Sequence, residues 1–311
     1  MSRATRSDDT TAMPVELPYA LSERPLDLPD ARAVVEVMAA QELRDIGRVV
    51  IDEGDIVGDW QRPSFDVRAS TVGVFDGSRL VAYAEHSGND RGDAAVHPDY
   101  RGRGIGTALA VWMQDRARRA GSTIVGMPTP QGSAGDRLLE ALGYRVRWTS
   151  WELSLPEGQQ IEPQPLPQGY AVREALPIEH EAIWTVIEDA FGEWSARPRQ
   201  TYADFTATTM ARPGFEPWNL RVITDPSGEV VGAAFVHLVG ETAYIQRIAV
   251  RRDQRRRGLA RALLVDSFAV ARAHGAARSE LSTDSRTGAL GLYERVGMRV
   301  TSTWVNRAID L

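Results

Sequence analysis

Val250-Arg251-Arg252-Asp253-Gln254-Arg255-Arg256-Arg257-Gly258-Leu259-Ala260 closes one apolar run and opens an amphipathic one. The chain holds a counterpart in Val96-His97-Pro98-Asp99-Tyr100-Arg101-Gly102-Arg103-Gly104-Ile105-Gly106. The two stretches lie 154 positions apart (250 minus 96), and the same offset relates Gly121 to Gly275 and Gly143 to Gly297. The register therefore holds through a strand, a loop, a helix and a second glycine. The chain reads as a tandem duplication of one domain type.

In each stretch an arginine-rich and glycine-containing loop leads from a strand into a helix. The first-turn N–H groups of a helix have no partners within it, and together with the helix dipole they favour a bound anion. Small residues at Gly104, Gly106, Gly258 and Ala260 would let a phosphate come close to the backbone. The arginines add charge and bidentate hydrogen bonding. The plain alternative is a basic helix start with no ligand. A dinucleotide fingerprint fits poorly, because neither stretch reads Gly-x-Gly-x-x-Gly with an acidic residue about 20 positions on. A nucleoside-triphosphate loop is excluded, since no Gly-Lys-Ser/Thr follows.

In the second half, periodicity predicts strands at 170–173, 220–224, 230–239, 242–250, 278–283 and 298–306. It predicts helices at 177–191, 200–210 and 257–274, and another around Tyr293. Pro177 suits a first helical turn, Asp225-Pro226-Ser227-Gly228 a turn between strands, and Gly275 a left-handed helix cap. The matching pieces of the first half are 80–85, 103–120, 122–127 and 136–142. This alternation indicates an α/β (mixed α+β) class, with two tandem domains, each a mixed and mostly antiparallel sheet flanked by helices. Residues 156–169 contain four prolines and little apolar periodicity, as an extended linker would. The expected division is a disordered tail at 1–18, an N-terminal domain at 19–155, the linker at 156–169 and a C-terminal domain at 170–311.

Composition bounds the function. At 311 residues the chain has a two-domain length, on a prior of about 150 residues per domain. Its 43% hydrophobic and 25% charged residues suit ordinary globular domains rather than disorder. No apolar run approaches the roughly 18 residues of a membrane span, and residues 1–13 lack the apolar core of a secretory signal. The expected location is the cytoplasm, with no membrane partner. The absence of Cys removes disulfides, thiolate nucleophiles and Cys-based metal sites, and the five His show no ligand spacing, so no metal is expected. A net charge of -6 argues against nucleic acid and is compatible with a cationic amine as partner.

The repeated Arg-x-x-Gly-x-Gly/Ala pattern resembles the acetyl-CoA pyrophosphate loop of the GCN5-related N-acetyltransferase (GNAT) family. Thr287-Gly288-Ala289-Leu290-Gly291-Leu292-Tyr293-Glu294-Arg295-Val296-Gly297-Met298 is similar to that family's later motif. The resemblance covers nearly the whole chain, once per half. Its tandem architecture is similar to that of the mycothiol synthases, in which the C-terminal domain catalyses. It implies a sheet splayed at the strand before the loop, and direct transfer of an acetyl group from acetyl-CoA to an amine. The pantetheine arm would pair with Ile248, Ala249 and Val250. The pyrophosphate would rest on Arg255, Arg256, Arg257, Gly258, Leu259 and Ala260, with Ser285 nearby. The first-half counterparts are Val96, Arg101, Gly102, Arg103, Gly104, Ile105 and Gly106. Tyr293 occupies the place of the family's general acid, which protonates the leaving thiolate; a phenol near pKa 10 and a thiol near 8.5 make that transfer workable. Tyr293 also reads as a core aromatic beside Ala289, Leu292 and Val296.

The chain departs from the family in places. The family's carboxylate, six residues before the closing Val, is here Tyr244, followed by Gln246. Neither is a base at neutral pH, and both become acceptor-contact candidates. Glu241 is the neighbouring carboxylate, though it also reads as a solvated hairpin charge. A water chain, or an amine that binds neutral, could replace a protein base. The family's Asn before the last helix is absent, with Ser285-Arg286 in that region. In the first half Tyr293 corresponds to Leu139, which cannot donate a proton. The N-terminal domain is therefore expected to keep a CoA-like site without the chemistry. Aromatics cluster at Trp184, Phe191, Trp194, Tyr202, Phe205, Phe215 and Trp218. Trp184 and Phe205 read as core, Glu193 and Trp194 as acceptor contacts, with Glu193 able to pair with an ammonium group. The expected acceptor is a small-molecule primary amine. A peptide acceptor, a longer acyl donor and a non-catalytic acyl-CoA-binding regulator stay open. The duplication could itself supply a pseudo-dimer within a monomer.

Overall fold

The computed structural model describes Leu17 and residues 21–311. The expected tail at 1–18 lies, Leu17 apart, outside them. The chain forms two compact units, one of Met1–Arg147 with Asn306–Leu311 and one of Trp148–Val305. This differs from a division at 156–169. The cause lies in two long strands, β6 (Arg145–Ser154) and β12 (Arg299–Asp310). Ser150–Ser154 of β6 pair antiparallel with β11 in the second unit. The end of β12 returns to the first unit, where the Leu311 N–H donates to the Thr123 carbonyl at 2.9 Å. Each unit is thus completed by a strand from the other half of the sequence.

The first unit has strands β1 (Ser22–Arg24), β2 (Thr71–Asp76), β3 (Arg79–Gly88), β4 (Arg91–Val96) and β5 (Ile124–Pro130), in the order β1-β2-β3-β4-β5-β12. Its helices are α1 (Ala31–Ile46), α2 (Glu53–Trp60), α3 (Val67–Ser70), α4 (Ile105–Arg119) and α5 (Ala134–Ala141). α4 turns Ile105, Leu109, Trp112 and Met113 inward at helical spacing, onto Val72, Val81 and Val125 of the sheet. Arg307 fixes the incoming strand. Its guanidinium donates to Asp136, to the Tyr144 carbonyl at 3.1 Å and to Glu140 at 3.1 Å.

The second unit repeats the plan. Its strands are β7 (Ala171–Glu174), β8 (Leu220–Thr224), β9 (Val230–Val239), β10 (Thr242–Val250) and β11 (Arg278–Asp284), in the order β6-β11-β10-β9-β8-β7. Its helices are α6 (His180–Gly192), α7 (Tyr202–Thr208), α8 (Leu259–Ala273) and α9 (Leu290–Arg295). β8 is buried throughout, as a strand covered on both faces must be. β10 and β11 are parallel while the other pairs around them are antiparallel, the mixed sheet that the alternation predicts. α4 and α8 begin and end at the same 154 offset (105 to 259, 119 to 273).

Residues 156–169 are extended, as their prolines dictate, but they are a packed strap. Ile161 is buried with Leu155, Trp218 and Phe268, and Leu166 packs against Leu259 and Leu263. No helix among the described residues is long and apolar enough to cross a membrane.

Candidate active site

In the second unit β10 and β11 pair over Thr242–Ile245 against Arg278–Leu281, and no pairing continues beyond. On the opposite side β10 stays paired with β9 up to Val250, with a register shift between Ile245 and Arg247. Gln246 is the extra residue, and a bulge of this kind bends its strand away from a neighbour. The result is a wedge whose β10 wall is Gln246–Val250, with Ile248, Ala249 and Val250 lacking ladder partners on the β11 side. This is the splay expected at the donor strand.

The loop beyond the wedge ends at Gly258, which caps α8 at φ +79. The first helical bond runs from the Ala262 N–H to the Gly258 carbonyl at 3.0 Å. The N–H groups of Arg256, Arg257, Gly258, Leu259 and Ala260 therefore donate to no backbone acceptor among the described residues. Leu259 is buried and anchors the helix, so only its N–H is available. Five donors at the positive end of a helix dipole form a cradle for a diphosphate.

Arg255 does a different job. Its Nε donates to the Val250 carbonyl at 3.0 Å, and its two terminal nitrogens grip Glu193 at 2.8 and 2.6 Å. The hydrogen-bonded guanidinium holds the Glu193 carboxyl below its ordinary pKa. Glu193 is thus committed to bracing the loop, not placed as an acceptor contact. Trp194 packs on Phe191 and lies 4.9 Å from the Arg286 guanidinium, which sits 3.6 Å over Trp148. Ser285 belongs to the strand ladder: its N–H donates to the Thr149 carbonyl at 2.8 Å and its hydroxyl accepts from the Thr149 N–H at 3.4 Å. That places it on the β6 side of β11, away from the loop.

Tyr293, on α9, packs in the cluster of Ile245, Leu281, Leu264 and Phe268, with Ile248 against it. Ile245 is the last paired residue before the wedge, and it shares this core cluster with Tyr293. Burial pushes the phenol up to about 12, which keeps it protonated. The hydroxyl has no hydrogen-bond partner among the described residues, yet it is not among the sealed polar atoms left orphaned. It therefore reaches an opening. The ring is core and the hydroxyl is available, so the two readings of this residue coexist.

Glu241 is not brought to the site. It lies exposed in the turn between β9 and β10, at the far end of β10 from the loop, and its carbonyl accepts from the Ala277 and Arg278 N–H groups. Two carboxylates of neighbouring strands lie beside Tyr244. Glu280 lies opposite Tyr244 in the β10–β11 register and is buried. Glu152 of β6 accepts from the Tyr244 hydroxyl at 3.3 Å. Reading the sequence by halves misses Glu152, which falls inside the expected N-terminal domain of 19–155.

The first unit keeps the loop with changes. Gly104 caps α4 at φ +82, and β4 and β5 meet only at Arg91 and Gly126 before diverging. Arg101 grips Asp45 at 2.7 Å through both nitrogens, as Arg255 grips Glu193. The Val96 N–H is already taken by Gln41 Oε1 at 3.1 Å. Arg103 lies 4.7 Å over the Tyr100 ring, and Ile105 is buried. A Cβ at Gly106 would stand 2.7 Å from Leu138, so that glycine serves helix packing, not phosphate approach. Leu139 is buried core.

Comparison with known proteins agrees with this geometry. The model of the acetyltransferase (GNAT) family matches residues 41–144 and 180–298. The chain is 32% identical over 257 residues to a mycothiol acetyltransferase of Salinispora arenicola (strain CNS-205), covering 76% of this chain and 80% of that protein. It is 27% identical over 234 residues to the mycothiol acetyltransferase of Streptomyces coelicolor, covering 72% and 74%. A GCN5-related N-acetyltransferase from Sphaerobacter thermophilus superposes with a TM-score of 0.71 at 29% identity, over 95% of this chain and 97% of that one. A tandem GNAT protein from the clavulanic acid biosynthesis pathway shares the fold with a TM-score of 0.71 at 19% identity, over 93% and 98%. The chain belongs to the acetyltransferase (GNAT) family, carries that family's domain twice, and is an acyltransferase.

Proposed function

We propose that this protein transfers an acetyl group from acetyl-CoA to the primary amine of a small molecule, with the chemistry in the second unit. The observation that supports this most is the conjunction of an open N–H cradle at Gly258 with a wedge beside the cluster that holds Tyr293 and its available hydroxyl. The cradle fits a diphosphate and the free β10 edge fits an amide-bearing arm. Relatives named mycothiol acetyltransferase favour acetyl as the acyl group and a small molecule as acceptor.

In this reading the amine nitrogen forms a bond to the thioester carbonyl carbon, the carbon–sulfur bond breaks, and the sulfur leaves as thiolate. Tyr293 delivers its proton to that sulfur, and the second proton that the nitrogen sheds on becoming an amide restores the phenol. The hydrophobic surroundings that raise the phenol raise a neighbouring thiol as well, which keeps the transfer near balance. Glu280 and Glu152, beside Tyr244, are the carboxylates placed to take the proton that the ammonium must lose. The reading takes the chain as a cytoplasmic enzyme that needs no metal.

Calorimetric titration with acetyl-CoA tests the donor. Wild type should bind it, and Gly258→Glu should abolish binding at the second unit, because a carboxylate would stand where the phosphates lie. Retained full affinity in that variant, with its helix content intact by circular dichroism, would reject the cradle as the donor site.

A further inference from the structure

The N–H groups that make the cradle useful leave its backbone poorly held. None of them, from Arg256 to Ala260, donates to a backbone acceptor among the described residues, and the Arg255 N–H reaches the Arg252 carbonyl only at 3.5 Å. A segment that keeps its donors open for a ligand must be held by side chains instead. Arg255 does this at the end nearest β10. The Arg251 N–H donates to the Val231 carbonyl at 2.8 Å, and Arg255 Nε donates to the Val250 carbonyl at 3.0 Å, so the peptide between Val250 and Arg251 is fixed from both sides. The Arg255 terminal nitrogens donate to both Glu193 oxygens, at 2.8 and 2.6 Å. The brace therefore ends outside the loop, at the C-terminal cap of α6.

The position of that acid is a second, independent sign. A carboxylate at the end of a helix meets the negative pole of the helix dipole, which disfavours it. The first unit makes the same choice with a different helix. Asp45 lies in the last turn of α1 and takes both terminal nitrogens of Arg101 at 2.7 Å, and Arg101 stands 154 positions before Arg255. An unfavourable acid kept in both copies, each time on the first arginine of the loop, points to a use for the pair. The neighbouring acids of α6 turn elsewhere. Glu188 and Asp189 pair with Arg197 and Arg199, in the segment that follows the helix. Of the three, Glu193 is the one that crosses to the loop.

We propose that Glu193 is a positioning residue for the acyl donor: acting through Arg255, it fixes the end of the β10 edge and the start of the N–H cradle before the diphosphate arrives. This rests on the reading of the donor as a coenzyme A thioester. The pair is formed in the free protein, so its effect is preorganisation. Losing it adds loop ordering to the cost of binding and leaves the N–H donors themselves unchanged. With side chains 39% and 32% exposed, the pair is partly screened, which keeps the effect modest.

The test is calorimetry of the full chain with acetyl-CoA, beside the melting temperature of each variant. Glu193→Gln should weaken acetyl-CoA binding by about threefold to tenfold and leave the melting temperature within about 2 °C of wild type. Glu193→Asp, which keeps the charge, should recover part of that loss. With Arg255→Gln already in place, Glu193→Gln should add less than about twofold, because the two act as one unit. Glu188→Gln is the control, since it removes the buried charge that pairs with Arg197 on the same helix. It should lower the melting temperature and leave acetyl-CoA affinity within about twofold. Equal loss of affinity in Glu188→Gln and Glu193→Gln would overturn the proposal, showing a general loosening of α6. Wild-type affinity in Glu193→Gln would overturn it too, and leave the donor reading standing. Failure of wild type to bind acetyl-CoA would overturn both.

Discussion

Glu85 faces Asp93 across β3 and β4 in the first unit. Trp60 Nε1 and the Ser87 hydroxyl each donate to Glu85 at 2.8 Å. Burial, reinforced by the Asp93 charge, pushes Glu85 up to about 7, and burial pushes Asp93 up to about 6. A carboxyl raised in this way binds its proton more tightly folded than unfolded. Its contribution is neutral below the unfolded value of 4.5 and becomes progressively destabilising as pH rises to about 7. Glu85→Gln keeps an acceptor for Trp60 and removes the charge. It should stabilise the first unit at pH 8 by about 2–3 kcal/mol and give no gain near pH 4, by urea denaturation with hydrogen exchange in β3 as the local probe. The same gain at both pH values would show that the charge is not the cause. At this scale the sequence was legible where backbone geometry is concerned: Gly258 and Gly104 cap their helices in the left-handed region as their pattern requires. It was not legible where side chains choose partners. Nothing local to Glu193 announces that Arg255, 62 residues on, will hold both its oxygens.

At the scale of elements, β8, β9 and β10 begin and end where their patterns place them, β8 being buried throughout and β9 over its first eight residues. α4 and α8 are marked by a left-handed glycine at one end and helical apolar spacing along their length. The strap was misread because proline predicts extension but says nothing about adhesion. One apolar residue, Ile161, decides that question by entering the core. Ile161→Ala should cost about 2–4 kcal/mol in chemical denaturation, the range for a truncated core aliphatic. A cost below about 0.5 kcal/mol, as for a free linker, would remove the strap from the fold. The bulge at Gln246 left no signal in composition; only the pairing of β9 shows the extra residue.

At the scale of the whole molecule, the duplication explains why two loops exist, and strand exchange explains why the halves of the sequence are not the units of the fold. β6 carries Glu152 into the second unit, and β12 carries Arg307 into the first. A boundary drawn at the proline-rich segment separates each from the site or core it serves. The two copies have diverged at the positions proposed for transfer. The second keeps Tyr293 in the cluster beside the wedge, and no side chain takes its Val250 N–H among the described residues, although Arg255 holds the Val250 carbonyl. The first has Leu139 in the core and Gln41 on the Val96 N–H. The account's central claim is that the second unit transfers the acyl group and that Tyr293 supplies the proton. The direct measurement is turnover of acetyl-CoA with a panel of small primary amines by wild type and Tyr293→Phe, alongside calorimetry with acetyl-CoA. Phenylalanine preserves the packing and removes only the hydroxyl. The account predicts that kcat falls on the order of 10²–10⁴-fold while acetyl-CoA affinity stays within about twofold. Undiminished kcat in Tyr293→Phe would contradict it, leaving Tyr293 a core aromatic and the proton donor elsewhere.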